Sequence, residues 1–353
     1  MEITARHSVD AAAWNAEIAC SPFGTFYQTT YYTEYARTIG YEPLFVRVHD
    51  NGRFLASLVL YETSPLHPVL AGLPFAGITY PIARRTFPVL IWRYGPVPAP
   101  DLPEEERRAA FESLASWIAD YARRRRAPVT SGVPHPLADP PAAFEKVGFA
   151  SKPWGTFLID LSQSQETLWS NVDKAARKLV ERTRERGVEV VEARNEADLH
   201  AYLDVINESR RRAGLILYPY SNVLWKVLQS SSTGAVLLAR KGDDVLAGLS
   251  VTWFNGYVNE WGAGTSQKAI DEKLYAGDVL KWHVIEEGKR RGFRYYDLTG
   301  VNPNPKDEKE AGILRFKAKW GGQLTRYNEY SLGIKRKRDA ILRAAKKVGG
   351  KAR

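Results

Sequence analysis

Cysteine is almost absent from this sequence of 353 residues, in which Cys20 is the single one. An internal disulfide and a cysteine-based metal cluster are therefore excluded, and such cysteine usage is typical of a reducing compartment. The N-terminal segment carries acidic side chains and no apolar core, so we expect no secretory signal there. The longest apolar stretch, residues 69–83, contains two prolines and is shorter than the ~20 residues of a membrane-spanning helix. We expect a cytoplasmic protein.

Signature patterns of several enzyme classes are missing as well. The six histidines form no i,i+4 pair, and neither GxSxG nor GxxxxGK[ST] occurs. The loop that cradles coenzyme A pyrophosphate in acetyltransferases is also missing, because the nearest match, RRAGLI at 211–216, fails at its last position. Gly262-Ala263-Gly264 lacks the third glycine of a dinucleotide site, and we interpret it as a strand end and turn. We expect no metal and no bound cofactor.

Composition and proline distribution indicate two globular domains. Hydrophobic residues make up 44% of the chain and charged residues 25%, which is a globular composition. Fifteen of the 20 prolines lie between Pro65 and Pro153, which predicts an irregular first half. Beyond them the sequence predicts a strand at 156–161 and one helix over 164–186, ended by Gly187. We therefore place the domains at residues 1–155 and 156–325.

The same order of elements occurs twice along the chain. Residues 45–60 and 236–251 both read as an apolar strand, a polar turn and a second strand. Residues 117–126 and 282–291 both read as an amphipathic helix with a basic last turn, and a strand-like segment follows each. This order predicts a tandem α/β duplication.

Motifs spread over nearly the whole chain resemble those of the FemABX family. In the first half these are SPFGTFYQ (21–28), GYEP (40–43) and GPV (95–97). In the second half they are RAG (212–214), LAG (246–248), YYDLTG (295–300), GI (312–313) and FK (316–317). The resemblance implies two tandem GNAT-like (acyl-CoA N-acyltransferase-like) domains with mixed central sheets flanked by helices. It also implies that residues 326–353 return to the first domain.

The resemblance implies an activity too. FemABX proteins move an amino acid from aminoacyl-tRNA onto an amine of the stem peptide of a peptidoglycan precursor, which builds the interpeptide bridge. The precursor is linked to a lipid or to UDP. The expected partners are therefore aminoacyl-tRNA as donor and the precursor as acceptor. An activated ester needs neither a metal nor a covalent enzyme intermediate, which agrees with the missing signatures.

Similarity to the family places Lys317 and Phe316 in the site. Lys317 would stabilise the oxyanion or a nearby phosphate, and Phe316 would stack on the terminal adenine of tRNA. The alternative is a core phenylalanine beside a solvated lysine. Glu260 would serve as the base for the amine, or would face solvent or pair with a cation. Asp297 would cap the following loop or contact the substrate.

Two positions depart from the family pattern. A family member holds the UDP phosphates of its substrate with a lysine after the SPFG-like segment and with an arginine before a proline. Those positions fall here on Ala36 or Arg37, and on Tyr218. Arg37 or Arg212 would substitute; otherwise the acceptor is lipid-linked or is another amine.

Two basic segments are candidates for partner contacts. The net charge is +10, of which residues 335–353 contribute +8 and the rest of the chain +2. This tail would lie as an amphipathic helix on an anionic membrane, bind tRNA, or be a frayed solubilising end. The predicted helix over 164–186 would present either a solvated face or a tRNA-contacting face. Its basic residues are Lys174, Arg177, Lys178, Arg182, Arg184 and Arg186.

Two rival functions remain open on the sequence. The first is an N-acyltransferase that uses acyl-CoA, which the missing pyrophosphate loop disfavours. The second is a non-catalytic protein of duplicated domains that binds tRNA or membrane. Loss of turnover on substitution of Lys317 separates the catalytic reading from the second rival.

Overall fold

A computed structural model describes residues 1–65, 76–138, 142–215, 217–218 and 220–334. The chain divides into two compact units. The first contains Met1–Trp154 and takes up the chain again from Arg326, and the second is Gly155–Thr325. The sequence predicts the boundary at residue 155 and the return at 326.

The first unit is a mixed sheet with helices. Its sheet order is β1-β2-β3-β4-β6-β13, in which β4 and β6 are parallel and the other described pairs are antiparallel, while β5 pairs with β3. The strands are β1 (Glu2–Arg6), β2 (Glu42–Asp50), β3 (Arg53–Thr63), β4 (Val89–Arg93), β5 (Val97–Pro98), β6 (Val129–Val133) and β13 (Gln323–Gly333). The helices are α1 (Ala11–Cys20), α2 (Thr30–Thr38), α3 (Ala76–Thr86) and α4 (Glu104–Arg125).

The second unit repeats this order. Its sheet runs β8-β9-β10-β11-β12-β7, and β11 and β12 are the parallel pair. The strands are β7 (Ala150–Asp160), β8 (Glu189–Glu192), β9 (Gly234–Lys241), β10 (Asp244–Phe254), β11 (Tyr257–Thr265) and β12 (Tyr295–Val301). The helices are α5 (Gln165–Asn171), α6 (Lys174–Glu185), α7 (Glu196–Arg212), α8 (Val223–Ser231), α9 (Gln267–Asp271), α10 (Ala276–Arg290) and α11 (Glu308–Ala318). The predicted α/β duplication is confirmed.

The hairpins form where the sequence places turn residues between apolar strands. Asn51 and Gly52, between β2 and β3, have positive φ values of 47° and 81°, as the tight turn of a two-residue hairpin requires. The strands on both sides are largely buried, and α4 of the first unit and α10 of the second contribute buried apolar side chains to separate cores.

The predicted helix over 164–186 is in fact two helices. Val172 is extended and buried, and the side chain of Asp173 accepts hydrogen bonds from the backbone N–H groups of Ala175 and Ala176. An aspartate in this position begins a new helix, so α6 starts after a break. Gly187, with φ of 83°, follows α6 as predicted.

The interpretation of Gly262-Ala263-Gly264 as a strand end and turn is wrong. All three residues lie inside β11. A side chain at Gly264 would meet the backbone of Ile206 in α7 at 2.8 Å, and one at Gly262 would meet the Tyr202 hydroxyl at the same distance. The glycines therefore allow α7 to pack closely on the sheet.

Among the described residues, no helix combines the length and apolar character that crossing a bilayer requires. The basic tail at 335–353, for which membrane and tRNA contacts were considered, lies outside the described residues.

We expect Gly132→Ala to lower the free energy of unfolding by about 2–3 kcal/mol, because a methyl group there would overlap the buried ring of Trp92. Gly333→Ala is the matched control, since Gly333 also pairs across β6 and β13 and has open space around it. The control should stay within about 0.5 kcal/mol of the unmodified protein in denaturant unfolding. Equal effects of the two substitutions would contradict the packing of Gly132 on Trp92.

Candidate active site

The two parallel strand pairs differ at their carboxyl ends. In the second unit β11 and β12 pair at three positions, the last being Asn259 with Asp297. In the first unit β4 and β6 pair at five positions, to the end of β4. Ligands of open α/β sheets bind where the carboxyl ends of neighbouring strands part. In the second unit the two strands therefore open apart beyond Asn259 and Asp297, whereas the described parts of β4 and β6 stay paired.

A buried carboxylate stands at the point where the strands part. Asp297 has 0% exposure, and its Oδ1 accepts hydrogen bonds from the Thr156 hydroxyl at 2.5 Å and the Thr299 backbone N–H at 2.6 Å. Its Oδ2 accepts from the Tyr257 hydroxyl at 2.7 Å and the Asn259 amide at 3.3 Å. These bonds hold Thr299 in the left-handed region, with φ of 61°. The geometry is that of the predicted loop cap, and it offers no carboxylate surface to a substrate.

The turn that Asp297 holds receives Lys317 from α11. The Lys317 ammonium donates hydrogen bonds to the backbone carbonyls of Gly300, at 3.1 Å, and Thr299, at 3.3 Å. Both carbonyls belong to the segment of β12 beyond its last pair with β11. The ammonium is thereby fixed at the opening.

Burial dominates the electrostatics of Lys317 and lowers the pKa of its ammonium to about 8. Glu260 and Asp297 raise this pKa, and the positive charge of Lys281 lowers it. A lysine in this state is protonated at neutral pH and close to losing its proton. Such a group suits both charge stabilisation and proton transfer.

Glu260 of β11 is 8% exposed and already has two partners. Its Oε1 forms an ion pair with the ammonium of Lys281 from α10 and accepts a hydrogen bond from the Tyr296 hydroxyl at 2.5 Å. Burial, together with the Glu260 charge, raises the pKa of Tyr296 well above its usual value. Of the roles considered for Glu260, the geometry matches the pairing with a neighbouring cation.

Phe316 lies at the surface beside this cluster and is 41% exposed, so the alternative of a core phenylalanine is wrong. The ammonium of Lys319 lies 4.3 Å from the centre of its ring and that of Lys281 lies 5.9 Å away. Lys319 is paired with Asp278 at 2.8 Å, and burial raises the pKa of this aspartate. The Phe316 ring thus lies beside two cations, and its exposed part is available to a flat ligand such as a base.

Arg37 lies in the first unit, at the end of α2. Its guanidinium pairs with Glu42 at 2.8 Å and donates to the His7 carbonyl at 2.9 Å. Ala36, the other candidate position, is fully buried. Of the two candidate positions, Arg37 is therefore the one that carries a positive charge, and its guanidinium is already paired with Glu42 within the first unit.

Arg212 and Tyr218 lie near the end of α7. Arg212 donates to the Ser209 hydroxyl at 3.0 Å and to the Thr265 carbonyl. Tyr218 is 44% exposed, and the Arg210 guanidinium lies 3.9 Å from the centre of its ring. Among the described residues, neither Arg212 nor Tyr218 forms a hydrogen bond with Lys317.

Sequence reasoning missed three residues around Lys317, and one of them had a signal. Lys281 is 5% exposed within the apolar sequence of α10, between Leu280 and Trp282. A charged residue in a run that helical spacing turns toward the core indicates a buried partner of opposite charge. Tyr296 and Lys319 carry no such signal, because strand tyrosines and helix-end lysines are common.

Comparisons with known proteins agree with this architecture. A profile of the acetyltransferase (GNAT) domain matches residues 170–317, and no curated protein matches the sequence. The crystal structure of FemX superposes with a TM-score of 0.71 at 13% identity, over 98% of this chain and 99% of FemX. The C-terminal domain (DUF2156) of a putative lysylphosphatidylglycerol synthetase from Agrobacterium fabrum gives 0.54 at 14% identity, over 95% and 94%.

The structure of L-PGS from Bacillus licheniformis is a further similar fold, with a TM-score of 0.50 at 10% identity over 86% of this chain and 88% of that one. The protein thus has the tandem GNAT fold that the resemblance to FemABX proteins implied.

We expect Lys281→Met to lower the free energy of unfolding by about 3–5 kcal/mol, because it leaves the Glu260 carboxylate buried without its cation. Combining it with Glu260→Gln should restore most of the loss in denaturant unfolding. Lys268→Met is the control, since its ion pair with Asp244 is half exposed, and it should change little. Unchanged unfolding of the Lys281→Met variant would contradict the buried pair.

Proposed function

We propose that this FemABX-like tandem GNAT protein transfers an amino acid from aminoacyl-tRNA to an amine of the stem peptide of a peptidoglycan precursor. One observation carries the proposal: a half-buried ammonium, that of Lys317, is fixed at the opening between β11 and β12. The similarity to the fold of FemX and the motifs shared with FemABX proteins support the choice of reaction.

Aminoacyl transfer from an ester to an amine requires few catalytic groups. The neutral amine of the acceptor attacks the ester carbonyl that joins the amino acid to the ribose of tRNA. A C–N bond forms, and the carbonyl oxygen becomes an oxyanion beside the Lys317 ammonium. Collapse of this intermediate breaks the C–O bond of the ester and releases the ribose oxygen. A fixed positive charge acts here without reorganisation, which is the efficient form of oxyanion stabilisation.

The proton balance also involves Lys317. The attacking amine must lose one proton, and the leaving ribose oxygen must gain one. With a pKa of about 8, Lys317 donates a proton to the ribose oxygen and recovers one from the amine, directly or through water. Glu260 then acts by holding Lys281, and not as the base, because its Oε1 is bound by Lys281 and Tyr296.

The donor would be held by Phe316 and by basic groups near it. The terminal adenine of tRNA stacks on the exposed part of the Phe316 ring in this proposal. On α6 and just beyond it, Arg184 pairs with Glu286 and Arg186 donates to the Glu272 carbonyl. The exposed cations of α6 that would contact tRNA phosphates are therefore Lys174, Lys178 and Arg182.

The acyl-CoA alternative fits less well. A pyrophosphate would bind at the N-terminus of α10, the first long helix after β11, where backbone N–H groups attract anions. Here the first turn of α10 carries the carboxylate of Asp278, which is 4% exposed and already compensated by Lys319. A phosphate at that turn would lie beside this carboxylate and would have to compete with it for Lys319.

The direct test is an intact-mass measurement on the acceptor. Purified protein is mixed with a pool of charged tRNAs and with nucleotide-linked or lipid-linked pentapeptide precursor. A mass gain of one amino acid, abolished by ribonuclease, is the expected result and identifies the amino acid. Phosphatidylglycerol vesicles and acyl-CoA with a peptide amine form two further arms. A product only in either of these would overturn the proposed acceptor or donor.

Substitution of Lys317 should change both the rate and its pH dependence. Loss of the charge in Lys317→Met is expected to lower kcat by about 100- to 1,000-fold with little effect on unfolding. Because the pKa of Lys317 is lowered, its charge is present below about pH 8 and lost above. The wild-type rate should therefore fall above that pH, whereas Lys317→Arg should keep its residual rate, since guanidinium stays protonated. A Lys317→Met variant with the wild-type kcat would contradict the mechanism.

Phe316→Ala should weaken binding of aminoacyl-tRNA by about 5- to 100-fold, the range expected for one stacked base. Filter binding with radiolabelled aminoacyl-tRNA measures the dissociation constant directly. Ile270→Ala is the control, because Ile270 is exposed to a similar degree, 47% against 41%, but lies on α9. If both variants bind tRNA as the unmodified protein does, Phe316 is not a stacking platform.

A further inference from the structure

Three helices of the second unit meet around a recess of about 490 Å³. Each helix lines it with two side chains four residues apart, and residues with this spacing lie on the same helical face. The pairs are Gln165 with Trp169 on α5, Val180 with Arg184 on α6, and Trp282 with Glu286 on α10. Sites for small molecules have volumes of this order. We call this space the tryptophan recess.

The two tryptophans of the recess form one aromatic wall. Their ring centres are 4.4 Å apart, and the ring planes are inclined by 50°. Trp282 belongs to the core of the second unit and is 3% exposed, and Trp169 is half-buried and packs against the same core. Packing therefore holds both rings in place without a ligand. The faces of such rings carry negative charge density and attract cations.

The ionised side chains of the recess are mostly acidic. The carboxylates of Glu166, Glu181 and Glu286 line it together with the guanidinium of Arg184. Arg184 is paired with Glu286 at 2.7 Å. Among the described residues, no cation forms a salt bridge with Glu166 or Glu181, and both side chains are exposed. The recess therefore has an excess of negative charge beside its aromatic wall.

Glu166 stays ionised at neutral pH. Hydrogen bonds to its own backbone N–H and to the Ser164 side chain lower the pKa of its carboxyl group, and the charge of Lys289 lowers this pKa as well. The Lys289 ammonium itself donates a hydrogen bond to the Ser162 carbonyl at 3.2 Å. The Glu166 carboxylate is thus charged and available to a cationic ligand.

The composition of the recess favours an organic cation over a metal ion. Within the described part of the chain, no three histidine, cysteine, aspartate or glutamate side chains come together as ligands for a metal. Mg²⁺ and Ca²⁺ bind to oxygen ligands and leave ring faces unused. An ammonium group, in contrast, gains from carboxylates and from tryptophan faces at the same time.

We propose that the tryptophan recess binds a small organic cation, an amine or a quaternary ammonium compound. Its charged group lies against the rings of Trp169 and Trp282 and is neutralised by Glu166 and Glu181. The recess shares no residue with the cluster around Lys317, so this site does not depend on the proposed function.

The indole N–H resonances of the ten tryptophans report binding on the full chain without turnover. Protein labelled with ¹⁵N in its indole groups is titrated with choline and, separately, with spermidine, while NMR follows each resonance. The signals of Trp169 and Trp282 should shift in a saturable way and those of the other tryptophans should not. Trp169→Phe and Trp282→Phe assign the two signals, because each variant lacks one of them.

Loss of the aromatic wall should weaken binding. Trp169→Leu is expected to raise the dissociation constant by about 2- to 30-fold, the range for one cation–π contact, and Trp169→Phe should lose less. In Trp169→Leu the Trp282 signal reports the titration. Trp154→Leu is the control, since Trp154 is also half-buried but lies in the first unit, and it should bind as the unmodified protein does.

A charge variant tests the site at a side chain that is too exposed for the fold to depend on it. Glu181→Gln should weaken binding of both probes by about 2- to 5-fold, as expected for an exposed ion pair. Glu185→Gln makes the same change on an exposed position of α6 outside the recess, and it should have no effect. Lys317→Met should also bind both probes unchanged, which separates this site from the proposed function.

Three results would overturn the proposal. The first is that neither choline nor spermidine shifts the Trp169 and Trp282 signals. The second is that Trp169→Leu and Glu181→Gln bind both probes as tightly as the unmodified protein. The third is that Mg²⁺ shifts the same signals to the same extent, because attraction of any positive charge would then explain the binding without the aromatic wall.

Discussion

The second unit depends on one buried carboxylate. Asp297 takes hydrogen bonds from β7, from β11 and from its own strand, so three neighbouring strands meet on a single negative charge. The hydrogen bonds of this carboxylate also bend the chain at Thr299. At this bend the backbone carbonyls of Thr299 and Gly300 accept hydrogen bonds from Lys317. A buried charge is costly unless its oxygens are satisfied, and here four donors satisfy it. The Asp297 carboxylate thus both joins three strands of the sheet and shapes the turn that holds Lys317.

Sequence patterns predicted the elements better than the contacts between them. Asn51-Gly52 between apolar runs is a local turn signal, and the hairpin it predicts is present. The prediction of a single helix over 164–186 is wrong, because Asp173 interrupts the helical spacing and caps a second helix. The FK motif predicts Phe316 and Lys317 as site residues, and both lie on α11 near the opening. The pair of Glu260 with Lys281 joins a strand to a helix; the apolar run around Lys281 indicates a buried partner of opposite charge, but no local pattern identifies that partner as Glu260.

The two units share a strand order but use it differently. In the first unit the parallel strands stay paired to the end of β4. In the second unit the corresponding strands part after three pairs, and an ammonium lies at the opening. The two copies of the fold thus differ at the place where open sheets bind ligands, which is how function varies on a common scaffold.

The last strand of each sheet comes from a distant part of the chain. In the first unit, β6 pairs with the end of β13, which is synthesised almost two hundred residues later. A nascent chain on the ribosome therefore carries an incomplete sheet, with β6 as an open edge, until β13 has emerged. Open edges invite pairing with other chains. The first unit is for that reason completed only after the second unit has been synthesised, and loss of β13 would expose an aggregation-prone edge far away in sequence.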